Sequence, residues 1–480
     1  MHRFRWVFCQ LETLRHCFPP NLRHFLNELP ESLDETYERI LRGINKAQKE
    51  DARRLLQCLT VAARPLQVEE LAELLAFDFQ ATDDRGIPTL REDWRWNDQE
   101  GAVLSTCSSL IAIVRDGNSR VVQFSHFSVK EYLTSPRLAD SHGAVSRFHV
   151  DLNAAHTILA QACLGTLLQL CEDTGNSGSK GFPLVEYAAH HWVEHAQFEN
   201  VSSRVRDGMH DLFDSSKTHF AAWLQVHDMD ERWGIFSNGS RAAVASPLYY
   251  AAMCGFHDVA ERLIMKHPEQ VNARGGRILA PLPAALSKGH FRVADLLHNH
   301  GAVVDVRDEA RWTPLHVASY PGSVDTDTLR WLINHGAEAS AQTGSRSTAL
   351  HYAARIMHLG AVQVLLEHNV DVNSLDNDGD PPLCDVLIFA GTSDEGKAIE
   401  IVRRLLEQGA DPNMCESGHS TPLHRAASKG FLEVTCLLLS YGAKVNEKDE
   451  DGRTPFKEAS LREYHELMKL LLEHGAVPPP

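Results

Sequence analysis

Thr421-Pro422-Leu423-His424-Arg425-Ala426-Ala427 spells out the start of a helix. The threonine hydroxyl can cap the helix, and proline fits its first turn, where a missing N–H costs nothing. The alanine pair keeps this helix slim enough for a neighbour to approach closely. Further on, Leu437-Leu438-Leu439 supply the apolar stripe of a second helix. Gly442 is placed to end that helix in the left-handed conformation. Val445-Asn446 then leads into a tip around Asp449-Glu450-Asp451-Gly452. The unit is helix, helix, tip.

The phrase recurs outward from there. Its second position falls at Pro247, Pro281, Pro314, Ala349, Pro382, Pro422 and Pro455, with intervals of 34, 33, 35, 33, 40 and 33 residues. Helix ends of one type follow: His300-Gly301-Ala302, His335-Gly336-Ala337, Gln408-Gly409-Ala410 and His474-Gly475-Ala476. His368-Asn369-Val370 departs from them, with Asn as the residue that best replaces Gly at positive φ. A repeat of this length buries neither face alone, so stacked copies share a continuous core.

The repeated phrase resembles the ankyrin repeat. That resemblance implies seven repeats over 240–480, at about 246–276, 280–310, 313–344, 348–379, 381–419, 421–452 and 454–480. It implies a concave surface of tips and inner helices that binds an unknown protein partner without chemistry. His316, His351 and His424 are expected to be structural, bonding neighbouring backbone groups. The tips differ in charge: Arg274, Arg277, Arg307, Arg311 and Arg346 in the first three, Asp376, Asp378, Glu416, Asp449, Glu450 and Asp451 in the last three. A concave face graded from basic or neutral to acidic is one reading of these residues as partner-binding; ordinary solvated loops are the other.

The first half reads differently. Leu29 to Leu41 opens a helix, Ala52 to Leu59 is a second, Arg64-Pro65-Leu66 is a break, and Val68 to Leu75 is a third helix. Leu110 to Val114 and Arg120 to Phe124 flank Asp116-Gly117-Asn118, a hairpin signal, and Ser128 to Leu133 is a further helix. This order makes a winged helix over 27–140. With Val68 to Leu75 taken as the groove-entering helix, Glu69, Glu70 and Glu73 would repel phosphates, so neither DNA nor RNA is expected as a partner. Residues 141–225 read as a helical connector. The fold class expected is mainly α: winged helix, helical connector and ankyrin-repeat solenoid.

Phe4 to Leu11, the run Leu29 to Leu41, Arg64-Pro65-Leu66 and Ser125 to Leu133 resemble fungal NACHT–ankyrin proteins, which are NLR-like (STAND) signalling ATPases with a GPI inositol-deacylase-type winged helix. In that family a P-loop NTPase core precedes the Phe-Arg-Trp segment, so residues 1–26 would be the tail of a core absent from this sequence. The resemblance implies a non-enzymatic recognition part without cofactor, or a fragment of a nucleotide switch whose NTPase lies upstream or on another chain. His126 falls where related switches place a nucleotide-sensing histidine; a packing role is the alternative.

Two motifs compete with this reading. Gly391 to Ala398 nearly spells a phosphate-binding loop, but Ala398 replaces the Mg²⁺-ligating hydroxyl and Asp394 and Glu395 would face phosphates. His191-Trp192-Val193-Glu194-His195 matches an inverted zincin motif, leaving a zinc hydrolase through His191 and His195 as a minor alternative with no third ligand identified. Ten cysteines without a C-x-x-C pair read as core thiols of a reducing compartment. The absence of an apolar leader or a membrane-length apolar run makes a cytoplasmic location, away from membranes, the expectation. The net charge of −17 divides evenly, with 24 basic and 33 acidic residues in 1–240 and 23 and 31 in 241–480. No basic domain for nucleic acid stands out.

Overall fold

The computed structural model describes residues 32–107, 109–117, 119–141, 143–170, 182–230, 245–320, 326–391, 395–414 and 420–478. Two compact units divide the chain, Met1–Ile235 and Phe236–Pro480. The architecture is mainly α, a winged helix with packed helices and an ankyrin-repeat solenoid. The segment expected to end an NTPase core, 1–26, lies outside the described residues, as does Glu416.

In the first unit, Ser32 caps α1 (Leu33–Gly43) by accepting the Glu35 N–H at 3.2 Å. The winged helix follows as α2 (Lys49–Val61), β1 (Leu66–Gln67), α3 (Val68–Leu75), the hairpin β2 (Phe77–Thr82) and β3 (Pro88–Leu90), α4 (Gln99–Cys107), β4 (Ile111–Asp116) and β5 (Ser119–Phe124). Its antiparallel sheet runs β1-β5-β4, with Leu66 opposite Val122 and Ile111 opposite Phe124. Helices α5 (Phe127–Leu133) and α6 (Pro136–Ala139) close it.

This order corrects the sequence reading of the groove-facing helix. In a winged helix the recognition position is the helix just before the wing, which here is α4 and not α3. Glu70 and Glu73 are not a repelling surface, being only 2% and 3% exposed. Glu70 takes both Arg64 amino groups at 2.6 and 2.8 Å and the Gln67 N–H at 2.7 Å. Glu73 accepts from Arg95 at 2.6 Å and from the Leu184 N–H at 2.7 Å. Their spacing on α3 hid this: Arg64 lies six residues before Glu70, and Arg95 comes from beyond the inserted hairpin.

The helices beyond residue 141 belong to the same compact unit. They are α7 (Leu152–Leu167), α8 (Val185–Gln197), α9 (Val201–Arg204), α10 (Arg206–Leu212) and α11 (His219–Val226). Helix α7 packs on α2, α8 and β3. Gly165 permits the close approach of the hairpin, since a Cβ there would stand 2.9 Å from the Phe77 ring. Trp192 and Trp223, both fully buried, meet edge to face at 5.4 Å.

The second unit is a row of helix pairs, each a first helix followed by a second helix. The pairs are α12 (Pro247–Met253) with α13 (His257–Lys266), α14 (Pro281–Ser287) with α15 (Phe291–Asn299), and α16 (Pro314–Ala318) with α17 (Thr326–Asn334). Next are α18 (Ala349–Arg355) with α19 (Leu359–Glu367) and α20 (Pro382–Phe389) with α21 (Glu395–Glu407). The row ends with α22 (Pro422–Lys429) paired to α23 (Leu432–Ser440), and α24 (Pro455–Leu461) to α25 (His465–Glu473). First helices pack on first helices between α12 and α14 and from α16 onward, and second helices on second between α13 and α15 and from α17 onward. The core is their shared interior: Leu365, Leu405, Leu438 and Leu471 are all fully buried, each contributing about 1.5–3 kcal/mol. The second helices end at Gly301, Gly336, Gly409, Gly442 and Gly475 with φ between +84° and +90°, and Asn369 holds +52° in the same role.

Candidate partner-binding face

Two side-chain clamps lock neighbouring repeats and so fix where the tips stand. His316, His351 and His424 each accept the N–H of their own capping threonine on Nδ1, at 3.1, 3.0 and 3.2 Å. Their Nε2–H donates forward to the carbonyl of Ala341, Asp380 or Arg453, at 3.1, 3.1 and 3.0 Å. These histidines are therefore neutral Nε2–H tautomers with both nitrogens used. Burial above all pushes His316 and His351 down to about 4.

The second clamp is made by the asparagine of the repeated phrase. Asn272, Asn373, Asn413 and Asn446 each donate from Nδ2 to the carbonyl of the helix-ending glycine in the next repeat, at 2.9, 3.0, 3.1 and 2.9 Å. Their Oδ1 accepts the N–H two residues beyond that glycine, at 2.8, 2.9, 2.8 and 2.9 Å. Asp305 occupies this position in one repeat. It accepts the Glu338 N–H at 3.0 Å on Oδ2 but leaves a buried Oδ1 without a partner.

The tips divide into groups. Arg274 and Asp378 are exposed; Arg277 is half-buried. Arg307 pairs with Glu338 of the next repeat at 3.0 Å. Arg311 and Arg346 are exposed and adopt left-handed φ of +62° and +59°, at the turn position that Gly379 and Gly452 fill elsewhere. Glu450 and Asp451 are exposed, and Asp451 pairs with Arg453. Asp449, half-buried, closes its turn by accepting the Arg453 N–H at 2.8 Å. Asp376 departs from its expected place at an open tip. Only 4% exposed, it accepts the Asp378 and Asp380 N–H groups at 2.9 and 3.1 Å and pairs with Arg355 at 2.5 Å. Beside Arg277, a cleft with about 470 Å³ of empty space is lined by Ile278, Pro283, Leu286, Trp312, Val317 and Leu332. The Trp312 ring centre lies 4.4 Å from that of Tyr352 in the next repeat, the two planes tilted by 41°.

The other candidate residues lie in the first unit. His126 caps α5, its Nδ1 accepting the Ser128 N–H at 3.2 Å. The Ser128 hydroxyl is in turn 2.8 Å from that of Tyr37. His195 is fully buried with both nitrogens engaged, 2.9 Å from His156 Nδ1 and 2.8 Å from the Tyr187 hydroxyl. The Tyr187 oxygen also accepts the Ala63 N–H at 3.1 Å. Burial, with His156 and His191 adding to it, pushes His195 down to about 3. His191 faces Glu194 at 3.7 Å instead. Among the described residues no group of three His, Cys, Asp or Glu side chains forms a metal-holding set. Of the near phosphate-binding loop, 392–394 lie outside the described residues, and Glu395, Lys397 and Ala398 are in the first turn of α21.

Comparison with known proteins agrees with this division. The description "Ankyrin repeats (3 copies)" matches residues 248–343, 323–390 and 387–479. "GPI inositol-deacylase, winged helix domain" matches 37–146. The chain is 31% identical over 298 residues to azaphilone pigments biosynthesis cluster protein L of Monascus ruber, covering 58% of this chain and 61% of that one. It is 32% identical over 188 residues to ankyrin repeat and SOCS box protein 16 of Mus musculus, covering 38% and 40%. To ankyrin repeat protein nuc-2 of Neurospora crassa it is 29% identical, over 39% of this chain and 17% of that protein. The chain thus spans between about two fifths and three fifths of the length of the first two relatives. It carries ankyrin repeats, a protein–protein interaction module, together with a winged helix of the GPI inositol-deacylase type.

Proposed function

We propose that this chain is a non-enzymatic recognition scaffold of an NLR-like signalling protein, holding a protein ligand on the concave face of tips and first helices in its ankyrin array. The observation that carries this reading is the division of labour between inward and outward groups. Every histidine and asparagine clamp is consumed in fixing the repeats to one another, while Arg274, Arg311, Arg346, Asp378 and Glu450 project outward from the tips so fixed. Arg311 and Arg346 add to it. A side chain in the left-handed region costs about 1–2 kcal/mol, and glycine fills the same turn in two other repeats. An arginine kept there against that cost fits a surface selected for contact.

An NLR-like setting is supported by the winged-helix match beside an ankyrin array, and a fungal source by the relative from Monascus ruber. A cytoplasmic setting fits the free thiols of Cys58, Cys107, Cys163, Cys254 and Cys384, all buried. No helix among the described residues is long and apolar enough to cross a membrane. Nucleic acid fits poorly, because α4, at the recognition position, contains no lysine or arginine and its Glu100 pairs with Arg120. The test is charge reversal: Arg277→Glu and Asp378→Lys in the full chain, with a bound protein's affinity as readout. A loss of at least roughly tenfold in either variant is expected; a partner indifferent to both would overturn the reading.

A further inference from the structure

Between the fourth and fifth repeats, three carboxylates crowd one guanidinium. Arg355 gives its Nη2 to Asp376 at 2.5 Å and its Nε to Asp385 at 2.9 Å. Asp376 spends its other oxygen on two backbone N–H groups. Asp380, 6% exposed, makes no side-chain hydrogen bond among the described residues, and its buried Oδ1 has no partner. Asp385, 1% exposed, likewise leaves Oδ2 unpartnered.

Asp380 feels Asp376 and Asp378 from its own tip, Arg355 from α18 and Arg425 from α22. Asp385, on α20, feels Arg355, Asp376 and Asp380. Burial first, and the neighbouring acids next, push Asp380 up to about 6 and Asp385 to about 7. A buried carboxylate oxygen without a donor is costly, and the two guanidiniums of Arg355 and Arg425 face four acids, Asp376, Asp378, Asp380 and Asp385. Aromatic surface borders the cluster, since Arg355 lies 5.5 Å from the Tyr352 ring centre and 5.8 Å from that of Phe389. Phe389 is 56% exposed. A cationic head on an apolar stem suits such a place, because the acids take the charge and the ring covers the stem.

We propose that Asp380 and Asp385 receive a cationic side chain, arginine or lysine, from the protein held on the array. This rests on the protein-binding reading above. It adds the chemistry of one anchor.

The test is carboxyl-carbon NMR on the full chain, with Asp380 and Asp385 assigned through Asp380→Asn and Asp385→Asn. The probes are Nα-acetyl-arginine amide, Nα-acetyl-lysine amide, the neutral Nα-acetyl-glutamine amide, and calcium chloride. Saturable shifts of both carboxyl signals with an arginine or lysine probe are expected. The Asp385 titration midpoint should fall by about one pH unit, a roughly tenfold preference of the cation for the ionised form. The glutamine probe should leave both signals in place, and Asp380→Asn, nearly isosteric, should keep the circular dichroism spectrum while losing the response. No saturable shift with either cationic probe, the same response in Asp380→Asn, or a response to calcium alone would overturn the proposal. A protein ligand sensitive to Arg277→Glu but indifferent to Asp380→Asn would sink this anchor and leave the binding reading standing.

Discussion

At the scale of single residues, the same side-chain type does opposite work according to where the turn places it. Asp449 and Asp376 close their turns by accepting backbone N–H groups, whereas Asp378 and Glu450 in the same tips are exposed. Charge alone did not separate them, so the sequence grouped all four as contact residues. The separating signal was positional, because the first acid of each four-residue tip turns the chain. Arg311 and Arg346 became legible in the same way, by setting them against Gly379 and Gly452. Arg311→Gly should therefore stabilise the array by about 1 kcal/mol, measured by urea denaturation, while weakening partner binding. A destabilised glycine variant would mean that the arginine's own contacts outweigh its strained backbone.

At the scale of elements, the repeat pattern was readable because each position answers a local demand: a cap, a first-turn proline, a slim helix, a left-handed end. Contacts between repeats were less so, as a clamp joins residues about 30 apart. The histidine clamps were anticipated; the asparagine clamps were seen as letters and not as bonds. Asp305 supplies the test of that element. An asparagine there would keep the acceptor for the Glu338 N–H and replace an unpartnered buried oxygen by a donor, as in four other repeats. Asp305→Asn should stabilise by about 1 kcal/mol, and Asn373→Ala should cost about 1–2 kcal/mol, both by denaturant midpoint. In the winged helix, α4 escaped reading because Gln99–Cys107 has a glycine near its start and no apolar stripe, and the β2–β3 hairpin displaced it in sequence. That is why the acids of α3 were taken for a recognition surface.

At the scale of the whole molecule, the even charge balance conceals buried titrating groups of opposite effect. His195 at about 3 and His316 and His351 at about 4 lie below the unfolded value of about 6.5. Between those limits the unfolded chain binds protons that the folded one refuses, so stability falls on acidification by up to about 1.4 kcal/mol per pH unit for each histidine. Asp380 and Asp385, at about 6 and 7, hold protons in the folded chain that the unfolded one has released above about 3.9. Their contribution is present at low pH and is lost as pH rises through 6 to 7, partly masking the histidines. Asp385→Asn removes one mask, so its stability should fall more steeply than that of the wild type between pH 6.5 and 4; urea midpoints at half-unit pH steps check it. The central claim, that the tips and first helices hold a protein ligand, is tested most directly by site-specific photo-crosslinking. A benzoylphenylalanine replaces, one at a time, Arg277, Arg346 and Asp378 on that face, and Glu261, Arg330 and Glu367 on the second helices. Adducts to one protein from the first three positions and none from the second three are the predicted result. Adducts from the second helices alone, or from both sets equally, would contradict it.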